Sequence, residues 1–177
     1  MDLKTKTILD RIDHKLEQLV SELEQQPAEQ LNQEPSPGAW SPLQVLYHLL
    51  LAEKLSLGYI KKKLSYDPEL PKVDWRARLR TFVLDTYLKT PLRRKAPDNV
   101  NETKFPDDLS LEQIAKEWRV SRQDLRRYFE GLEPELFSRQ VYKHPFAGRM
   151  SLAGMLSFFE THFDRHYRQI KKALAAT

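Results

Sequence analysis

Residues 151–170 of the chain read SLAGMLSFFETHFDRHYRQI. At a period of 3.6 residues the apolar side chains form one stripe of a helix, made of Leu152, Met155, Leu156, Phe159, Phe163 and Ile170. His162 and His166 lie on the same stripe, four residues apart, so both rings project in one direction from adjacent turns. Because neutral imidazole is the commonest metal ligand among side chains, the pair indicates a candidate metal site. The alternative is a structural pair in which each ring hydrogen-bonds to a neighbouring group.

The clearest helix start in the chain is at Ser41. A serine at the N-cap, Pro42 at the first helical position and Gln44 two positions later form a Ser-x-x-Gln capping box. The pattern predicts a helix that runs to about Leu64.

A third histidine, His48, lies inside this predicted helix. Residues 45–52 place apolar side chains on nearly every face of the predicted helix, which indicates that the helix is buried on more than one side. An imidazole in such a run needs a polar partner. Glu53 follows directly, and we expect it at the rim of the core, paired with a basic side chain. A role for Glu53 as a metal ligand or acid–base group is the alternative.

Two more long helices are predicted, over residues 3–24 and 109–132. The second has Ser110 as its N-cap with Gln113 as capping-box partner. Its charged residues are predicted to face water: Lys116, Glu117, Arg119, Arg122, Asp124, Arg126 and Arg127. Four long amphipathic helices predict an all-α helix bundle, in which sites are built from inward side chains on facing helices. If the helices that carry His48, His162 and His166 are neighbours, their rings can meet.

The segment 72–106 interleaves basic and aromatic residues, as nucleic-acid surfaces do. Its first part, to Lys89, has helical character, and its basic residues include Arg76, Arg78, Arg80, Arg93 and Arg94. We favour a short helix that packs its aromatic residues on the bundle and leaves its charges in water. The reason is that 29 basic and 25 acidic residues leave a net charge of only +4.

Two smaller features lie before the last helix. Residues 137–142 alternate weakly and could be extended, and residues 144–148 read as a turn. His144 belongs to this turn, and we therefore place it outside the metal site, near its mouth.

The amino-acid composition limits the kinds of metal site and nucleophile that the protein can have. The chain of 177 residues contains no cysteine, which excludes disulfides, thiolate metal sites and cysteine nucleophiles. A metal site must use His, Asp or Glu, and imidazole suits Zn²⁺, Ni²⁺, Fe²⁺ or Mn²⁺. The N-terminus lacks the apolar core of a signal peptide, and no run approaches the ~18 apolar residues of a membrane helix. We expect one domain over residues 1–177, cytoplasmic and without membrane contact.

Two stretches carry a resemblance to a known family. Residues 40–49, WSPLQVLYHL, resemble the second-helix signature of the DinB/YfiT-like superfamily. Residues 144–152, followed by His162-x-x-x-His166, resemble its fourth-helix pattern. The resemblance implies a four-helix bundle of up-down-down-up arrangement, here with a longer basic helical insertion between helices two and three. It also implies a divalent metal held by three histidines, which correspond to His48, His162 and His166.

The expected function is that of a metalloenzyme acting on a small molecule. Known members of the family include thiol-dependent S-transferases and proteins assigned as metal-dependent hydrolases, so the partner could be a low-molecular-weight thiol. The alternative is a non-catalytic binding module that uses the basic 72–106 segment, with nucleic acid as a less favoured partner. A homodimer through spare apolar helix faces is a further possibility.

Overall fold

The computed structural model describes residue 1, residues 3–92 and residues 95–176. Arg93 and Arg94 of the basic segment lie outside the described residues. Within these ranges six α-helices follow one another: α1 (Leu3–Leu23), α2 (Ala28–Asn32), α3 (Pro42–Leu64), α4 (Trp75–Lys89), α5 (Leu111–Glu130) and α6 (Leu152–Leu174). A two-stranded antiparallel hairpin, β1 (Tyr142–His144) and β2 (Gly148–Met150), precedes α6. The four long helices predicted from the pattern are α1, α3, α5 and α6, and the fold class is confirmed.

Side-chain caps fix the starts of the two helices that carry histidines. At α3, the Ser41 hydroxyl accepts from the Gln44 amide at 3.3 Å, and the Gln44 side chain accepts from the Ser41 amide at 2.9 Å. At α6, Ser151 accepts from the Gly154 amide at 2.9 Å. The predicted capping box at α5 is wrong, because the Ser110 side chain makes no cap hydrogen bond. That helix begins on the backbone bond from the Ile114 amide to the Ser110 carbonyl.

Salt bridges between helices show their directions. Between α1 and α6 the pairs are Arg11–Glu160 and Lys15–Asp164, so the residue numbers rise together and the two helices are parallel. The same holds for α3 and α5, which are joined by Lys54–Glu117 and Lys61–Asp124. Between α1 and α5 the numbers run in opposite directions, in the pairs Glu17–Arg119 and Asp10–Arg126. These directions together give the up-down-down-up bundle that the resemblance implied.

The parallel contact between α3 and α5 explains the long connection between them. A chain that leaves α3 at one end must return along the bundle before α5 can run the same way. Helix α4 makes this return, since Thr81 faces Gly154 and Asp85 accepts hydrogen bonds from Ser157 and Thr161, which places it parallel to α6. The predicted insertion therefore contains the helix that brings the chain back.

Helix α4 has two apolar stripes on opposite faces. The stripe of Ala77, Leu84 and Leu88 is buried against the bundle. The other stripe is open to solvent, with Trp75 and Phe82 each 67% exposed. The expectation that α4 packs its aromatic residues inward is wrong for these two rings, because the inward stripe consists of smaller aliphatic side chains. Among the described residues, no helix has the length and apolar character needed to cross a bilayer.

A polar layer crosses the bundle between two apolar clusters. One cluster takes Ile12 from α1, Leu57 from α3 and Phe159 from α6, and the other takes Leu16, Leu50 and Phe163 from the same helices. The residues between them include Asp13, Glu53 and His162. Of the three candidate ligands, His162 lies in this layer, whereas His48 and His166 are flanked on their helices by residues of the second cluster.

Candidate metal centre

The structure brings the three predicted histidines together. His48 lies on α3, and His162 and His166 lie one turn apart on α6, which packs against α3. The Nε2 atom of His162 is 3.3 Å from Nε2 of His48 and 3.0 Å from Nε2 of His166. The candidate ligand atoms of all three residues lie within 4.8 Å of one another.

Oxygen acceptors fix the tautomers of two of the rings. Nδ1 of His48 donates to the carbonyl oxygen of Val100 at 2.7 Å, and Nδ1 of His166 donates to the side-chain oxygen of Gln169 at 2.9 Å. A neutral imidazole carries one ring proton, so both rings present the Nε2 lone pair to the common centre. Such outer hydrogen bonds orient the rings of metal-binding histidines.

The converging nitrogens fit a cation. A single N–H of His162 can point at only one of its two neighbours, so in the metal-free protein one close N···N contact lies between two lone pairs. Nitrogens ~2.1 Å from one ion, at angles of about 90–109°, are separated by roughly 3.0–3.4 Å. The observed separations of 3.0 and 3.3 Å match this spacing.

Burial keeps these imidazoles neutral. It lowers the pKa of His48, against the opposing effect of the Val100 hydrogen bond. Burial, followed by the neighbouring His48, lowers the pKa of His166 to about 3. The pKa of His162 lies well below its usual value, because of burial and then because of the adjacent His166 and His48. Neutral rings at pH 7 are the form that binds a metal.

Aromatic rings surround the three histidines. Phe158 stacks on the ring of His162, with centroids 4.9 Å apart and an interplanar angle of 22°. Trp40, next to the start of α3, lies 5.1 Å from the ring of His48 and packs in turn on Phe105. His48 and His166 are buried, whereas His162 keeps part of its surface exposed. The nitrogens are thus surrounded by aromatic rings.

His144 lies outside the group of three, as the sequence predicted. It ends β1, and its Nδ1 accepts hydrogen bonds from the backbone amides of Phe146 and Ala147 at 3.2 and 3.1 Å. The centroid of its ring lies 4.5 Å from that of Phe158 in an edge-to-face arrangement. His144 therefore packs against the ring that stacks on His162. Burial lowers the pKa of His144 to about 4.

Glu53 does pair with a base, but it lies in the interior and not at the rim. Its carboxylate accepts two hydrogen bonds from Arg122 and one from Trp118 Nε1, at 2.9 Å from the indole nitrogen. Arg122 was predicted to face water and is instead 4% exposed. The reason is that α5 turns this position inward, where Glu53 and Asp13 neutralise the guanidinium. The carboxylate is thus committed to Arg122 and Trp118.

Two contributors to the site were not predicted from the sequence. Gln169 lies three residues after His166 on the same helix, and this spacing could have indicated the contact. Val100 contributes only its backbone carbonyl, from a loop 52 positions away from His48, and no side-chain pattern indicates that contact.

Comparison with known proteins agrees with this architecture. YuaE of Bacillus subtilis (strain 168), an uncharacterized protein, is 27% identical over 144 residues, which cover 81% of this chain and 83% of the relative. The solved structure of YfiT from Bacillus subtilis superposes with a TM-score of 0.61 at 19% identity, over 98% of this chain and 87% of that one. YfiT is described as a probable metal-dependent hydrolase with an unusual four-helix bundle topology.

The family assignment rests on a match along nearly the whole chain. The DinB superfamily model matches residues 8–170, a range that includes α3, α5, the three histidines and most of α1 and α6. This protein therefore belongs to the DinB superfamily.

Proposed function

We propose that His48, His162 and His166 bind a divalent transition metal ion and that the protein is a metal-dependent hydrolase. The observation that carries the proposal is the convergence of three neutral Nε2 atoms at separations of 3.0 and 3.3 Å. Three protein ligands leave coordination positions open, which is typical of catalytic sites and not of structural ones.

The chain's own residues supply the rest of the site. When bound, a divalent cation supplies Lewis acidity, which polarises a substrate oxygen and makes water a better nucleophile at neutral pH. Val100 and Gln169 hold the rings of His48 and His166 in place. The rings of Trp40 and Phe158 exclude water from the buried side of the site.

The choice of hydrolysis comes from analogy. YfiT, which shares the fold over 98% of this chain, is described as a probable metal-dependent hydrolase, and we assign the same class of reaction to this chain. The thiol transfer implied by the family resemblance stays a prediction.

The first experiment measures metal binding. Protein purified without a histidine tag is analysed for bound metals and titrated with Zn²⁺, Ni²⁺, Fe²⁺ and Mn²⁺ while its melting temperature is recorded. We expect about one ion per chain and a rise in melting temperature that disappears in His48→Gln and His162→Gln. The exposed His14, changed to Gln, is the matched control. Equal metal responses in all four proteins would refute the metal site.

The second experiment tests hydrolysis. Metal-loaded and chelator-treated protein are compared on chromogenic carboxylic esters, anilides and phosphate esters. We expect turnover only with metal, and its loss in His162→Gln but not in His14→Gln. If the protein binds metal but shows no metal-dependent hydrolysis, the metal site stands and the proposed hydrolase activity is refuted.

A further inference from the structure

The carbonyl of Val100 reaches His48 from a loop that connects α4 to α5. Its oxygen lies 2.7 Å from Nδ1 of His48, and Val100 itself is buried. A backbone carbonyl can hold a ring in one orientation only if the loop that bears it has one conformation. The orientation of His48 therefore depends on the contacts that fix this loop.

The adjacent Asn101 fixes it with its side chain. Asn101 is only 4% exposed although its neighbours Glu102 and Thr103 are exposed. Its Oδ1 accepts from the Thr103 amide at 3.1 Å and from the Thr103 hydroxyl at 2.7 Å, and its Nδ2 donates to Asp98 at 3.3 Å. One side chain thus joins the residues before and after Val100.

Backbone bonds complete the same turn. The Val100 amide donates to the Pro97 carbonyl at 3.0 Å, and the Lys104 amide donates to the Asn101 carbonyl at 3.0 Å. Beyond the turn, the Phe105 ring packs on Trp40 and on Tyr47 of α3. The loop is therefore attached to α3 at two points, Val100 and Phe105, with Asn101 as the link between them.

We propose that Asn101 is a positioning residue for the metal site, acting through the Val100 carbonyl on the orientation of His48. The inference rests on the proposed function, because it assumes that the three histidines bind a metal. Asn101 contributes no ligand atom. It holds the carbonyl that fixes the tautomer and ring angle of His48, and partners of this kind raise the affinity of a histidine site.

Zinc affinity gives the first test. Competition with a chromophoric chelator measures the dissociation constant of Zn²⁺ for the full chain and its variants. Removal of outer hydrogen-bond partners weakens metal binding by about 10–100-fold, and we expect Asn101→Ala to fall near the lower limit. Thr103→Val, which removes one donor to Asn101, should weaken binding less, and Thr103→Ser, which keeps the hydroxyl, should restore it.

The matched control is Asp74→Ala. Asn101 is the N-cap of the short 3₁₀ helix Glu102–Lys104. Asp74 is the N-cap of α4, where its side chain accepts one backbone hydrogen bond, from Ala77 at 2.8 Å. Its removal destabilises a helix end but leaves Val100 and His48 untouched, so zinc affinity should not change. Equal zinc affinity in wild type, Asn101→Ala and Asp74→Ala would overturn the positioning role and leave the metal site standing. No zinc binding by the wild type would instead refute the proposed function.

A second readout needs no metal. In the metal-free protein the Nδ1 proton of His48 is observed by ¹⁵N-edited NMR, and its exchange with water is measured. We expect faster exchange in Asn101→Ala and Thr103→Val than in wild type, Thr103→Ser or Asp74→Ala. If Asn101→Ala does not fold, the two Thr103 variants carry the test. Unchanged exchange in the folded variants would contradict the inference whatever the zinc affinities are.

Discussion

Arg122 of α5 forms a salt bridge with the carboxylate of Glu53 of α3 in the interior of the bundle, where each residue is 4% exposed. Two nitrogens of the guanidinium contact the two oxygens of Glu53, and a third contacts Asp13 of α1 at 3.1 Å. One side chain thereby joins three helices in the polar layer. Because α3 and α5 are parallel neighbours without a tight turn between them, we infer that this layer fixes their register.

Loss of the arginine should destabilise the fold strongly. Arg122→Met leaves the buried charge of Glu53 without its partner, and breaking a buried ion pair in this way lowers the free energy of unfolding by about 3–5 kcal/mol. Urea unfolding followed by circular dichroism measures the change. Arg119→Met, one turn away on the same helix, is the matched control, because its pair with Glu17 is exposed and contributes about 0–1 kcal/mol. Similar losses in both variants would contradict the role of the polar layer.

Gly154 lies where α6 packs tightly against Thr81 of α4. A Cβ atom there would lie 2.7 Å from the Thr81 hydroxyl and 3.3 Å from Cβ of Met150. We expect Gly154→Ala to lower the free energy of unfolding by about 1–2 kcal/mol through overpacking, although alanine favours helix. Thr81→Ala should relieve most of this loss in the double variant.

Gly58 of α3 is the control for Gly154. A Cβ at Gly58 meets nothing within 4 Å, so Gly58→Ala should raise the free energy of unfolding by about 0.5–1 kcal/mol. If the two alanine variants changed stability in the same direction, the packing of α4 on α6 described above would be wrong.

Acid should destabilise the metal-free protein through its buried histidines. The pKa of His144 is about 4 in the folded protein and about 6.5 in the unfolded chain. Between these values the unfolded chain binds a proton that the folded protein does not. The His144 contribution is therefore fully present above about pH 6.5 and falls by ~1.4 kcal/mol per pH unit as the pH decreases toward 4.

The measurement compares urea unfolding at several pH values between 7.5 and 5 in the presence of a chelator. His144→Asn keeps an acceptor for the two backbone amides and removes the titrating ring, so its stability should depend less steeply on pH than that of wild type. The exposed His14→Asn should keep the wild-type slope. Parallel curves for wild type and His144→Asn would show that His144 does not contribute.

Gln169 offers a test of ring orientation at the other end of the site. Its side-chain oxygen lies 2.9 Å from Nδ1 of His166, and the residue itself is exposed. Gln169→Ala should weaken zinc binding by about tenfold while changing the stability of the metal-free protein by no more than about 0.5 kcal/mol, as surface substitutions do. Gln18→Ala on α1, which loses a contact with Glu22, is the matched control. Unchanged zinc affinity in Gln169→Ala would show that this hydrogen bond does not orient His166.

The amphipathic pattern was enough to predict the four long helices, and the bounds predicted for α1, α3 and α5 were right to within two residues. Local rules were sufficient at Ser41, because a cap and the helix that it begins lie within one turn of chain. The same rules failed at Ser110, where position and residue type are right but the side chain makes no cap bond. They also failed for Trp75 and Phe82, since two apolar stripes on α4 left the inward face undetermined.

Helical period and residue type are properties of short stretches, so they were enough to predict a helical bundle with three histidines on apolar faces. Three contacts depend on how the helices and loops pack. The Nε2 atom of His162 lies 3.0 and 3.3 Å from those of the other two histidines, the Val100 carbonyl holds His48, and Arg122 lies inside the bundle against Glu53. Each of these contacts joins residues from different elements. They depend on the helix directions and on the return path through α4, which no local pattern encodes.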